Sequence, residues 1–313
     1  MVAFLVRRAI HAFLVVLTAA TLVFGVIHLS GDPLSGFVPP GASPEQRQRI
    51  RERFGLDRPL PVQYGSFLAH AARGDFGESW RARRPALRTV MERLPATLRL
   101  SSAALAITIL LGLPLGLAAG TRSGGPVDAL ASGVALVGQA IPGFWLGTLL
   151  ILTFAVRLRW LPASGGDGPR ALVLPALTLA AYPTAIVVRL LRSSLIETMG
   201  QDYIRTAAGK GLTRGAVVCG HALRNALLPT LAFVGLQAGC LSGGAVVVEG
   251  VFAYPGVGEL TLGAVTDRDL PVIQTFVIVA ATLIVLLNLA VDAVARIVDP
   301  RLIRQTAASG RGA

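Results

Sequence analysis

Residues 202–229 read DYIRTAAGKGLTRGAVVCGHALRNALLP, a small-residue, cationic stretch between two long apolar runs. It carries Asp202, Arg205, Lys210, Arg214 and Arg224, whereas the flanking runs 171–188 and 226–248 contain no Asp, Glu, Lys or Arg. Runs 100–121, 129–156 and 272–291 are equally uncharged, and 9–31 adds only His11 and His28. Crossing a hydrocarbon core of ~30 Å takes roughly 20 residues at a rise of ~1.5 Å. The chain is therefore expected to be an all-α polytopic membrane protein with about six transmembrane helices. Its composition agrees: 53% of residues are hydrophobic and 15% charged, against about 25% charged in soluble domains.

A net charge of +12 could point to nucleic acid, but topology accounts for it better. With the N-terminus inside, the short inner stretches hold Arg7 and Arg8, Arg122, six cations between Arg189 and Arg224, and four from Arg296 onward. The short outer loops hold Arg157, Arg159, Arg170 and Arg268. Another 12 lie between Arg47 and Arg99, in or beside one long outer segment, and long segments translocate largely regardless of charge. The expectation is N-in and C-in. The first apolar stretch exceeds a signal-peptide core of ~7–15 residues and lacks a small-x-small cleavage site, so it reads as an uncleaved helix. Cys219 and Cys240 are too few for a disulfide framework and are expected to be small buried apolar residues.

The chain divides into residues 1–95 (first helix plus a polar segment), 96–300 (the core of spans) and a tail, 301–313. Within the polar segment, Ser43-Pro44-Glu45-Gln46 predicts a capped helix start, with Gln46 closing a capping box and Gly55 stopping the helix after Phe54. Val62, Phe67, Leu68 and Ala71 mark one face of a second helix ending at Gly74. Residues 189–225 read as the one sizeable inner loop and 249–271 as a Gly- and Pro-rich outer loop. Pro114, Pro142, Gly143, Pro175 and Pro183 interrupt spans, which fits either close helix packing or a wet path. Gln139, Gln237 and Gln274 are stronger candidates for a polar path, because an unpaired amide facing lipid is costly.

Asp202 is expected to cap a two-turn helix through Lys210. Gly211 ends it, and Thr213 caps a second helix running towards Leu223. Helices shorter than ~12–15 residues are marginal alone, so packing or a partner must hold this one. Ile204, Ala207 and Ala208 share a face. That alanine-rich face, flanked by Tyr203 and Arg205, suits a partner backbone better than lipid headgroups, which favour bulky apolar anchors.

This segment resembles the cytoplasmic coupling motif of the permease subunits of bacterial ATP-binding-cassette importers, in the dipeptide/oligopeptide/nickel branch. Thr206-Ala207-Ala208 stands for the Glu-Ala-Ala element, Gly211 for its glycine, and His221-Ala222-Leu223-Arg224-Asn225 for the closing part. Loss of the Glu and of the Leu-Pro departs from the broad pattern in the manner of the peptide branch. GDFGES (74–79), RLPATLRL (93–100), IPGFWLG (141–147), EGVFAYPGVGEL (249–260) and DRDLPVIQ (267–274) resemble the same branch in the same order.

The resemblance implies a type I importer transmembrane fold in the bacterial inner membrane, with a small extracytoplasmic segment after helix 1. It implies a second homologous permease subunit, one or two ATPase subunits and an extracytoplasmic binding protein as partners, with di- or oligopeptides as substrate. Nickel, haem, glutathione and oligosaccharides are alternatives on the same scaffold. It assigns ATPase coupling to Tyr203, Arg205, Thr206, Ala207, Ala208, Lys210, Gly211, Arg224 and Asn225. The translocation path falls to Gln139, Pro142, Gln237 and Gln274. Glu249, Tyr254, Pro255 and Gly256 are expected to gate the outer mouth or meet the binding protein.

The residues themselves supply no nucleotide site. A phosphate loop needs G-x-x-x-x-G-K-[ST], but Lys210, the sole lysine, has Ile204 and Gly211 where the first glycine and the hydroxyl residue belong. ATP and Mg would then belong to the partner ATPase, and no cofactor or metal is expected on this non-catalytic chain. A secondary transporter would keep acidic or His residues near the midplane, and the later spans have none. HExxH and GxSxG motifs are absent from the spans, which argues against an intramembrane enzyme.

Overall fold

The computed structural model describes residues 2–29, 41, 43–53, 55–165 and 168–298. Phe54 and the 301–313 tail lie outside them, while Gly55 has the left-handed conformation expected of the helix stop, at φ +66°. The described residues are helical apart from turns and one isolated bridge between Glu78 and Pro85. In chain order the helices are α1 (Val2–Leu29), α2 (Pro44–Arg53), α3 (Leu60–Ala71), α4 (Ala86–Thr121), α5 (Pro126–Ala140) and α6 (Gly143–Leu150). They continue with α7 (Pro169–Met199), α8 (Asp202–Gly209), α9 (Arg214–Val217), α10 (Leu223–Phe252), α11 (Val257–Thr266) and α12 (Leu270–Val298). π-Helical stretches extend α6 over Ile151–Arg157 and join α9 to α10 over Val218–Ala222.

Among the described residues five helices are long and apolar enough to cross a bilayer, and up to seven spans result if each of two broken pairs counts as one. The run 129–156 is one of those pairs: it breaks at Ile141-Pro142 and turns by 106°. Proline cannot donate to the preceding turn, and Pro142 instead caps α6 in an extended conformation. The expected outer loop 249–271 is mostly helix, because α10 runs to Phe252 and α11 follows after a left-handed Ala253. The expected inner loop also shrinks at both ends. α7 carries Arg189 and Arg192 on to Met199, and Arg224 and Asn225 belong to the first turn of α10.

The chain forms two compact units. The first comprises residues 1–97 and 255–286. In it the capping box forms as expected, with Gln46 N donating to Ser43 Oγ at 3.2 Å and Ser43 N to Gln46 Oε1 at 3.0 Å. α3 lies against α1: Tyr64 OH meets Thr21 Oγ1 at 2.6 Å, Gln63 Oε1 meets His28 at 3.1 Å, and Phe24 packs on Tyr64 and Phe67. Val62, expected on the packed face, is exposed. Buried Asp269 accepts from Ser79 Oγ at 2.5 Å, Trp80 N at 3.1 Å and Arg81 N at 3.3 Å. Thr97 Oγ1 accepts from Val257 N at 2.8 Å. Two pairs of the quoted motifs are thereby joined: GDFGES to DRDLPVIQ, and RLPATLRL to EGVFAYPGVGEL.

The second unit comprises residues 98–254 and the chain from 287 on. α7 is its centre, packed against α5, α6 and α10. Gly112, Gly116 and Gly120 of α4 lie one turn apart against Val187, Leu191 and Leu195 of α7, so close that a Cβ at Gly112 would sit 2.7 Å from Val187 Cγ1. Lipid tails are as apolar as leucine, so helices associate in a bilayer by such close approach.

Candidate coupling segment and path

α8 is two turns long and is held by its own chain. Ile204 and Ala207, three residues apart, are buried in a cluster with Leu191, Leu195, Val217, Ala222 and Ala226. The expected alanine face is therefore split: Ala207 packs inward, and Ala208 stays exposed. A methyl side chain suits either environment, so the pattern alone could not assign the two. The exposed side presents Tyr203, Arg205, Thr206, Ala208 and Lys210. Asp202 does not cap. Gln201 takes that place with no side-chain bond, and Asp202 pairs with Arg205 at 3.6 Å.

Gly211 turns the chain at φ +85°, a left-handed conformation natural to glycine. Thr213 then caps α9, accepting from Ala216 N at 3.4 Å. Asn225 Nδ2 donates to Tyr203 OH at 2.8 Å, tying α10 to α8. An Arg214 guanidinium N–H donates to Thr121 O at 2.5 Å, placing a cation at the carbonyl end of α4, where the helix dipole favours one. Arg192 grips buried Asp128 through both carboxylate oxygens, and Gly124 N and Ser132 Oγ bond the same carboxylate. Three elements (α4, α7 and α10) thus bear on the segment around α8, and α5 is tied to α7 through Asp128 and Arg192.

Gln139 and Pro142 line a cavity of about 260 Å³ at the break between α5 and α6, with Leu146, Thr178 and Tyr182. Gln237 lines a second, of about 450 Å³, sharing Gly143, Thr178 and Tyr182 with the first. Gln274 belongs to the other unit, on α12. Cys240 also lines the second cavity, and both cysteines are exposed, contrary to expectation. Glu249 and Tyr254 are 0% and 2% exposed; Gly256 is buried and Pro255 half-buried. Packing has turned Glu249 and Tyr254 inward. Among the described residues no group of three His, Cys, Asp or Glu could hold a metal.

Sequence reasoning missed the partners of Arg189, Arg192 and Arg214, whose spacing carried no signal. The Gly112-Gly116-Gly120 stripe, with its interval of four, could have been found.

Comparison with known proteins gives the family. The profile described as "Binding-protein-dependent transport system inner membrane component" matches residues 112–304, and its N-terminal counterpart matches 1–101. The chain is 37% identical to the dipeptide transport system permease protein DppB of Alkalihalophilus pseudofirmus, over 96% of this chain and 99% of that one. It is 37% identical to the glutathione transport system permease protein GsiC of Salmonella typhimurium, with the same coverage. Identity is 39% with a putative peptide transport system permease protein of Brucella abortus, again over 96% and 99%. Among solved structures, the inward-facing MetNI methionine ABC transporter aligns with a TM-score of 0.58 at 20% identity, over 67% of this chain and 96% of that chain. That likeness supports the type I importer fold. The chain belongs to the multi-pass inner-membrane permeases of binding-protein-dependent ABC importers, a family that works with ATPase and substrate-binding partners.

Proposed function

We propose that the chain forms half of the path of a peptide importer and is driven by a separate ATPase through α8. One observation carries this reading. α8 is locked to its own bundle by Ile204, Ala207 and the Tyr203–Asn225 bond, while its other side offers Arg205, Thr206, Ala208 and Lys210 to a partner. A helix so anchored moves with α7 and α10, so a displacement imposed on it reaches the spans as a rigid-body step. ATP and Mg belong to the partner, since no phosphate loop exists in this sequence. The reading includes a second homologous permease, cytoplasmic N- and C-termini, and a chain without catalysis of its own.

Peptides are the proposed substrate because the relatives are named for dipeptide, glutathione and peptide transport. Gln139, Pro142, Gln237 and Gln274 are assigned to the path, the first three supported by the adjoining cavities. Glu249, Tyr254, Pro255 and Gly256 are assigned to an outer gate, supported by the left-handed Ala253 turn between α10 and α11. The test is uptake by the complex reconstituted with its ATPase and binding protein. Gly211→Val, which forces a side chain into the left-handed turn, and Lys210→Glu, which reverses an exposed charge, are expected to lower peptide uptake per ATP hydrolysed. Wild-type coupling in both variants would refute the assignment.

A further inference from the structure

We propose that Arg189, oriented by Gln139, recognises the carboxylate of the transported peptide at the wall of the path. This rests on the peptide reading above and adds the chemical group that is read. Arg189 and Arg192 lie one turn apart on α7 and are treated differently by the fold. Arg192 is matched by the buried carboxylate of Asp128. Arg189 has a neutral partner, Gln139 Oε1 at 2.8 Å, and among the described residues no carboxylate lies within ion-pair distance of it. A cation on a membrane helix without a counter-ion marks a functional position. Guanidinium has five donors, and most of those on Arg189 are left over after the bond to Gln139.

The bond to Gln139 brings those donors beside a residue of the cavity wall. A Cβ at Gly138 of α5 would lie 3.4 Å from Ala181 O and 3.6 Å from Ala185 Cβ, so its neighbour Gln139 lies level with α7 about one to two turns before Arg189. Arg189 therefore extends along α7 towards the break at Ile141-Pro142 and away from Met199. Gln139 is itself a wall residue of the 260 Å³ cavity. The remaining walls of the two cavities are largely apolar, with Thr178, Tyr182 and Gln237 as polar points. Such walls accept varied side chains, so a charge beside them serves a feature that peptides share. A terminal ammonium would be repelled. A terminal carboxylate matches the guanidinium fork in a bidentate pair, the geometry in which arginine surpasses lysine.

Cys240, on the wall of the adjoining cavity, serves as the reporter. The complete transporter carrying Cys219→Ser is reconstituted in vesicles containing phosphatidylglycerol, and maleimide labelling of Cys240 is followed with trialanine or its C-terminal amide. Peptide uptake with the binding protein is measured on the same preparation. With Arg189 present, trialanine is expected to protect Cys240 at concentrations about tenfold below the amide, as suits a charge-assisted bidentate pair. Arg189→Gln is expected to remove that difference, and Arg189→Lys to retain part of it. Peptide uptake together with equal protection by acid and amide, or with no protection by either, overturns this inference and leaves the peptide reading standing. A wild-type complex that takes up no peptide overturns both. An Arg189→Gln defect that is the same for both peptides and disappears in vesicles lacking phosphatidylglycerol assigns the arginine to lipid phosphate and also overturns the inference.

Discussion

Asn225 donates its side-chain amide to the phenolic oxygen of Tyr203 at 2.8 Å, closing the Gly211 turn with a bond between the first turns of α10 and α8. Both residues are exposed in the single chain. The bond contributes little to stability, since a neutral hydrogen bond is worth about 0.5–1.5 kcal/mol net. Its consequence is mechanical: it fixes the angle at which α8 leaves the bundle.

Tyr203→Phe and Asn225→Ala are therefore expected to leave expression unchanged and to lower peptide uptake per ATP hydrolysed. The double variant should be no worse than either single one, because both remove the same bond. Parallel assays of uptake and phosphate release in proteoliposomes decide this. Additive losses would mean that the two residues act separately, each on the partner.

Asp128 and Arg192 form a different kind of tie. Asp128 is 4% exposed and also accepts from Gly124 N and Ser132 Oγ. Removing Arg192 leaves a buried carboxylate short of its cation, whereas removing both charges does not. Arg192→Leu is expected to lower the yield of folded protein more than the Asp128→Asn, Arg192→Leu double variant. Recovery by size-exclusion chromatography in detergent measures it, and a double variant that recovers worse than the single would contradict the pairing.

The spans and the helix–turn–helix of the candidate coupling segment were legible in the sequence because each depends on local pattern: apolar run length, a glycine stop and a threonine cap. Other features depend on which distant residue lies opposite. The Ser79–Asp269 bond joins positions 190 apart, and the inward turn of Glu249 and Tyr254 depends on packing around the end of α10. Arg189 ends an uncharged run in the sequence, yet its helix continues to Met199, and the long side chain carries its charge to Gln139. The candidate site residues were thus chosen by type, and their facing was decided by the fold.

Two glycines give opposite predictions from similar sequence. A Cβ at Gly112 would meet Val187 Cγ1 at 2.7 Å, while one at Gly133 on α5 would meet nothing within 4 Å. Gly133→Ala is expected to stabilise the purified subunit by roughly 0.5–1 kcal/mol, the helix preference for alanine over glycine. Gly112→Ala should destabilise it by about 1–3 kcal/mol, since a β-branched valine has few rotamers to yield with. Unfolding midpoints in detergent compare the two, and a stabilised Gly112→Ala would refute the close contact between α4 and α7.

Ala207 and Ala208 are adjacent and chemically identical, yet they face different surroundings, which separates folding from coupling in one experiment. Ala207 is 6% exposed, packed with Ile204, Leu191 and Leu195, so Ala207→Leu overfills that cluster and is expected to lower the unfolding midpoint, at a cost of about 1–3 kcal/mol. Ala208 is exposed, so Ala208→Leu should leave the midpoint of the subunit unchanged while weakening co-purification of the ATPase. The two readouts should therefore dissociate: Ala207→Leu loses stability first, and Ala208→Leu loses assembly alone. If Ala208→Leu retained the ATPase and full uptake, the exposed side of α8 would not be the partner surface, and the drive would have to enter elsewhere on the segment between Gln201 and Asn225.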